Sequence, residues 1–158
     1  MTAGAASPPV RNGWRLYAHP MLSAQLLALV TEVERLRAKF PDDFQRKAAT
    51  RRLAALRKVL LEAVPADPAS PAFRQGNTLG GGNGGWFRAK FGQQYRLFYR
   101  FDSASKVIVY AWLNDEETLR AYGSRSDAYA VFKSMLDAGN PPSTWAELVA
   151  GSAALEAL

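Results

Sequence analysis

No cysteine occurs in the 158-residue chain, which removes disulfides, a cysteine nucleophile and cysteine-ligated zinc or iron–sulfur centres. Histidine is nearly as scarce, and the lone His19 excludes a histidine-rich metal centre. No carboxylates fall at the spacing of a calcium loop, so the expectation is no metal and no cofactor. Runs of some 18 apolar residues, the length of a membrane span, are also missing, and the start MTAGAASPPVRNG lacks the charged and then hydrophobic layout of a secretory signal. The expected location is therefore cytoplasmic, with no membrane partner.

What is present is a globular composition, 48% hydrophobic and 11% aromatic, on a length suited to one domain. Charge is unbalanced: 20 Lys and Arg against 14 Asp and Glu leave +6. A basic surface draws polyanions at long range without naming which. The expected organisation is a flexible leader over 1–13, one domain over 14–150 and an uninformative tail over 151–158. No repeat is visible.

Hydrophobic spacing supplies the elements. Trp14 to Tyr17 reads as a short strand, and Pro20 suits the first turn of a helix. Leu22, Leu26, Leu29, Val30, Val33, Leu36 and Phe40 recur every three or four positions, as one buried helical stripe requires. A second helix is expected from Asp42 or Asp43 to Val64, stopped by Pro65 and packed through Phe44, Ala48, Leu53, Leu56, Leu60 and Val64. Between Lys39 and Lys58, seven cationic residues face only Asp42 and Asp43, a net charge of +5. That is either a nucleic-acid footprint or a solvated helix face, and the second is the plainer reading.

The segment GNTLGGGNGGW holds six glycines in the ten residues from Gly76 to Gly85. It matches neither a GxGxxG turn nor a GxxxxGK[ST] loop, so it reads as a long flexible connection. Three strands are expected next, at Trp86 to Phe91, Tyr95 to Asp102 and Val107 to Asn114, and short links make them an antiparallel meander. A helix follows over Asp127 to Leu136, and Ser143 is placed to cap a last one containing Trp145, Leu148 and Val149.

Alternation along a strand assigns faces, because side chains two apart point the same way. Trp86, Arg88 and Lys90 share a side of one strand; Arg96, Phe98 and Arg100 share a side of the next. Tyr95, Leu97, Tyr99 and Phe101 look core-facing. Pairing of the two strands then gathers Arg88, Lys90, Arg96 and Arg100 with aromatic rings on one exposed face, suited to phosphate contacts and base stacking. The alternative is a solvent-facing sheet whose charges prevent edge aggregation. Arg120, Tyr122, Arg125 and Tyr129 follow in a loop and helix start near the sheet edge.

These residues carry a resemblance. The pieces NGWRLYAHP, FQRKAAT, SPAFRQGNTLG, FRAKFGQQYRLFYRF, WLNDEETLRAYG and DAYAVFKSML occur in an order that is similar to the YhaV-type toxins of bacterial type II toxin–antitoxin systems, a branch of the RelE superfamily. The resemblance spans roughly Asn12 to Trp145. It implies an α+β fold, with a RelE-like small antiparallel sheet packed against two N-terminal helices and additional C-terminal helices. It further implies an endoribonuclease that acts on mRNA or rRNA, free or in the ribosome, and inhibits growth. The implied partner is a PrlF-type antitoxin with a swapped-hairpin DNA-binding fold, and the complex of the two is expected to repress its own operon through operator DNA.

Residue by residue, the superfamily's strand-borne basic positions match Lys90 and Arg96, with Arg88 adjacent. The basic residue after the last strand matches Arg120, and the aromatic after it Tyr122. Arg125 and Tyr129 are alternatives there, and Arg100, Phe98, Arg125 and Tyr129 are expected RNA contacts. RNA brings its own nucleophile, the 2′-hydroxyl, so such a site needs alignment, proton transfer and charge stabilisation. Arg96 is the expected phosphate clamp, Lys90 or Arg88 orients the nucleophile, Arg120 stabilises the leaving oxygen and Tyr122 stacks or relays a proton. His19, in AHP at a helix start, suits a structural hydrogen bond better than acid–base work. The competing function is a catalytically inactive nucleic-acid-binding or transcription-regulatory component.

Overall fold

A computed structural model describes residues 7–76, 78–92, 94–115 and 127–156. Strand β2 (Trp14–Ala18) buries Trp14, Leu16 and Ala18 on alternate positions, as a half-covered strand should. His19 then caps helix α1 (Pro20–Lys39), whose first position is the proline that lacks a donor N–H. Val10 and Arg11, in the expected leader, form a two-residue strand β1 antiparallel to β2, turned by Asn12 and Gly13 at positive φ.

The second helix departs from expectation at both ends. Phe44–Arg46 is a separate 3-10 turn, Lys47 is extended, and α2 begins only at Ala48, running to Lys58. Apolar spacings of three or four fit both helix types, so periodicity does not see the break. Asp43 pairs with Arg46 and Lys47 at 3.7 and 3.8 Å, and Lys47 lies 4.2 Å from the Phe40 ring centre, which holds this corner tight. Nor does Pro65 stop the helix. A π turn at Val59–Ala63, closed by the Val64 N–H on the Val59 carbonyl, precedes the one-turn α3 (Val64–Ala66). Proline's ring presses on the preceding turn and removes a donor; the wider turn accommodates both. Leu56, Leu60 and Val64 are fully buried as the stripe requires.

The meander forms where expected: β3 (Phe87–Phe91), β4 (Tyr95–Asp102) and β5 (Val107–Leu113), all antiparallel. Strand β2 joins β5 in parallel, so the order is β1-β2-β5-β4-β3. All seven residues of β5 are buried, the mark of a strand covered on both faces. One face packs Leu97, Tyr99, Ile108 and Tyr110 against α1 and α2. Tyr99 and Tyr110 donate their hydroxyls to the carbonyls of Pro68 and Leu60, and burial pushes both phenols well above their ordinary pKa.

The other face corrects the expectation of an exposed basic surface. Helices α4 (Ala128–Asp137) and α5 (Trp145–Ala150) and the glycine-rich segment cover it with a second core. Phe98, expected as an RNA contact, is wholly buried against Phe132 at 4.3 Å between ring centres. The glycine-rich segment is folded: Gln75 accepts from the Leu79 N–H and donates to the Asn83 carbonyl, and Leu79 is wholly buried. Its glycines admit sharp turns, but its buried apolar residue fixes it to the core. Thr144 rather than Ser143 precedes α5, bonding Glu147 at 2.8 Å. Past Gly151, β6 (Ala153–Ala154) pairs with β2 and buries Leu155.

Candidate functional site

The β3–β4 register sets Lys90 opposite Arg96 and Arg88 opposite Phe98, and directly paired residues of antiparallel strands share a face. Lys90, Arg96 and Arg88 therefore come together at the Phe91–Tyr95 turn end of the sheet. Lys90 is exposed, whereas Arg96 keeps only 6% of its surface. The Arg96 position is fixed from two sides: its backbone N–H donates to Asn114 Oδ1 at 2.6 Å, and its Nη1 donates to the Tyr95 carbonyl at 3.0 Å. Asn114 is itself buried and donates Nδ2 to the Gln94 carbonyl at 2.8 Å.

Arg88 is held by two charge-assisted bonds, Nε to Tyr129 Oη and Nη1 to the Ala72 carbonyl, each 2.8 Å. Tyr129 stands in the first turn of α4, whose N-cap Asp127 accepts from the Tyr129 N–H, and its ring meets Phe98 edge-on. Helix α4 thus delivers a phenol to the basic face.

Arg100 is on the same face, but four residues along β4 from Arg96 is ~13 Å, and Phe98 under Phe132 fills the space between. Arg100 instead donates to the Ser143 carbonyl and lies over the Trp86 ring, and burial lowers its pKa. Gly85 makes room for it: a Cβ there would run into the Arg100 guanidinium. The exposed four-cation surface is corrected to a three-cation cluster with Arg100 set apart by the second core. Arg120, Tyr122 and Arg125 lie outside the described residues. His19 is engaged as a cap, its Nδ1 accepting from the Met21 N–H at 3.3 Å, and burial lowers its pKa.

Sequence reasoning missed Asn114, Gln25 and Arg52. Gln25 grips the end of β5 through both amide atoms, donating to the Leu113 carbonyl at 2.6 Å and accepting from its N–H at 3.2 Å. Arg52 donates to Tyr95 Oη at 2.7 Å, with its guanidinium carbon 5.2 Å from that ring's centre. Arg52 does lie four residues from both Ala48 and Leu56, a spacing that already aligns it with the packed side of α2. Among the described residues, no three His, Asp or Glu side chains gather as metal ligands.

The site thus consists of the cross-strand cations Lys90 and Arg96 with the hydrogen-bonded couple Arg88–Tyr129 beside them. The model of the YhaV toxin family, described as a toxin with endonuclease activity of a toxin–antitoxin system, matches residues 16–153. The chain belongs to the YhaV toxin family. It is 52% identical over 139 residues to the ribonuclease toxin YhaV of Escherichia coli K12, covering 87% of this chain and 90% of that protein. The YhaV toxins of E. coli O6:H1 strain CFT073 and of E. coli O157:H7 match at the same identity and coverage. No solved structure is significantly similar. Membership in the YhaV family carries toxin and nuclease function in general and implies an antitoxin partner. The α+β layout agrees with the RelE-like architecture expected of this family. No helix among the described residues is long and apolar enough to cross a membrane.

Proposed function

We propose that this YhaV-family protein is a metal-independent endoribonuclease that stops translation and growth, and that a PrlF-type antitoxin neutralises it and joins it in repressing their operon. The observation that carries the reading is the cross-strand pair Lys90–Arg96, with the bonded couple Arg88–Tyr129 one row along the same face. The 2′-oxygen of RNA attacks the adjacent phosphorus, loses its proton to a base, and expels the 5′-oxygen, which takes up a proton. The products carry a 2′,3′-cyclic phosphate and a 5′-hydroxyl.

Arg96 clamps the nonbridging oxygens, where planar donors strengthen as charge develops. Its backbone anchor on Asn114 keeps that geometry in place before RNA arrives. Lys90, the exposed member of the pair, meets the backbone first and orients the nucleophile. Arg88 spends two donors on protein groups, so it positions Tyr129 and contributes charge. Arg120 at the leaving oxygen and Tyr122 on a base complete the reading by family resemblance. The antitoxin supplies the DNA reader of the repressing complex, and the toxin adds cationic charge.

The test is cleavage in EDTA by the wild type beside folded Arg96→Ala, with product-end analysis and parallel reactions containing translating ribosomes. Wild type is expected to leave cyclic-phosphate ends, and Arg96→Ala to lose about 10²–10³ in rate, the scale of one transition-state donor. Unchanged cleavage by the folded variant removes Arg96 from the mechanism. Dependence on a divalent ion removes metal independence. RNA binding without cleavage in either setting turns the reading to a regulatory binding protein.

A further inference from the structure

Helix α1 changes character part-way along. Its first twelve residues, PMLSAQLLALVT, hold no charge, whereas the last eight, EVERLRAK, hold five. Leu22, Leu26 and Leu29 turn to the sheet and the first core. The other side of the same turns carries Ala24, Leu27, Ala28 and Thr31, all exposed, Leu27 by 63%. At 3.6 residues per turn these four fall within one arc of ~100°. A solvent-facing helix side is ordinarily charged or polar; one that is apolar on both sides belongs between two partners.

A cavity of about 510 Å³ flanks this face. Gln25, Ala28, Leu29 and Glu32 form its α1 wall, with Tyr95 and Leu113 also lining it. Ala28 belongs to both surfaces, so an apolar side chain laid across Ala28 reaches Leu29 and the Tyr95 ring. That is how a groove seats an anchor residue of an amphipathic helix.

Past Thr31 the same outer row continues as Arg35, Ala38 and Lys39, all exposed. Arg35 is bonded to Glu32. Lys39 and Lys47 converge on the Phe40 ring, at 5.4 and 4.2 Å from its centre, and Asp43 is divided between Lys47 and Arg46. This corner therefore keeps positive charge. From Ala24 to Lys39 the row is ~22 Å long, about four helical turns.

The two halves together select the partner. A phosphate backbone gains nothing from the uncharged turns around Leu27. A second copy of this chain would bring its own helical layer, net +7 from Arg35 to Lys58, against this one, and like charges repel. An acidic amphipathic helix suits both halves, with apolar residues over Leu27 and Ala28 and carboxylates beside Lys39 and Lys47. A member of a toxin–antitoxin family has such a partner to hold. We propose that the outer face of α1 is the docking surface for an acidic amphipathic helix of the antitoxin, centred on Leu27, a reading that rests on the toxin–antitoxin assignment and not on the ribonuclease chemistry. Because α1 packs on the sheet face away from the Arg96 side chain, this contact holds the antitoxin without occupying the cationic cluster.

The experiment titrates the purified antitoxin of the same operon into full-length toxin by calorimetry at low and high salt, with RNA cleavage followed in parallel. Leu27→Asp, and separately the double variant Ala24→Glu with Ala28→Glu, should weaken the complex about 30-fold, the scale of one interface hot spot. Both should cleave RNA as the wild type does, yet escape inhibition at an antitoxin concentration that silences it. Lys39→Glu with Lys47→Glu should weaken the complex at low salt and flatten its salt dependence. Wild-type affinity in both α1 variants, with folding verified by circular dichroism, overturns the proposal, as does the absence of any complex with wild type. Unchanged antitoxin affinity beside a loss of toxin self-association, or of RNA binding, also overturns it and gives the face to that other partner. Weakened complexes with a wild type that cuts no RNA keep the surface and reject the nuclease.

Discussion

At the scale of single residues, His19 shows how one side chain can look catalytic and work as a fastener. Its imidazole accepts the Met21 N–H only when Nδ1 is unprotonated, and burial holds its pKa below 6.5. The unfolded chain therefore binds a proton more readily than the folded one. Stability from this group is complete above pH 6.5 and falls as the pH drops through the folded value. The urea midpoint of wild type should fall between pH 7 and pH 5 more than that of His19→Asn, which keeps a cap acceptor without titrating. His19→Ala should lose about 1 kcal/mol at pH 7. RNA cleavage should persist in His19→Asn; a folded but inactive His19→Asn would place the imidazole in the chemistry. Arg88 and Arg96 also separate at this scale. Both are basic strand residues in the sequence, yet Arg88 is tied to Tyr129 and Ala72 while Arg96 is anchored through its backbone.

At the scale of elements, helix α4 decides what the basic sheet face can do. Phe132 lies over both Phe98 and Trp112, at 4.3 and 5.5 Å, which themselves stack at 5.9 Å, and it meets Trp86 edge-on at 5.0 Å. Removing that ring leaves a cavity at the centre of the second core. Phe132→Ala should cost about 3–5 kcal/mol in chemical denaturation. Because Tyr129 lies one turn before Phe132, the Arg88 contact should loosen and cleavage should fall even where the variant remains folded. The three meander strands were readable to within a residue at most ends, because alternation and short polar turns are local signals. The cover over Phe98 was not readable there. An aromatic between two arginines fits an open stacking surface and a buried seam equally well, and only the return of α4 separates them. The seven buried residues VIVYAWL of β5 carried the missing clue, since an unbroken apolar strand has no face to leave in water.

At the scale of the whole molecule, both ends of the described chain close on β2. Strand β1 pairs beside its start, β6 beside its end, and Leu155 donates its N–H to Leu16 before burying its side chain in the first core. Leu155→Ala should destabilise by about 2–5 kcal/mol, read as a shift of the denaturation midpoint; a shift under 0.5 kcal/mol would show that the closing segment is not part of the cooperative unit. Charge is equally unevenly placed. Nine Lys and Arg between Arg35 and Lys58 face two aspartates, a net +7 that accounts for the whole chain's +6. The helical layer thus sets the long-range field, and the strand cations set the local chemistry.

The sequence by itself determined the class of fold, the strand limits, the sharing of one face by Arg88, Lys90 and Arg96, and the family, because all of these depend on local spacing or on ordered motifs. The tertiary structure alone decided that the sheet is covered on both sides, that Phe98 and Arg100 leave the cluster, that Tyr129 joins it, and that Arg52, Tyr95 and Glu32 meet around a cavity. Those facts are contacts between residues tens of positions apart, and periodicity, which sees a few neighbours at a time, carries no information about which distant surface comes to rest on which.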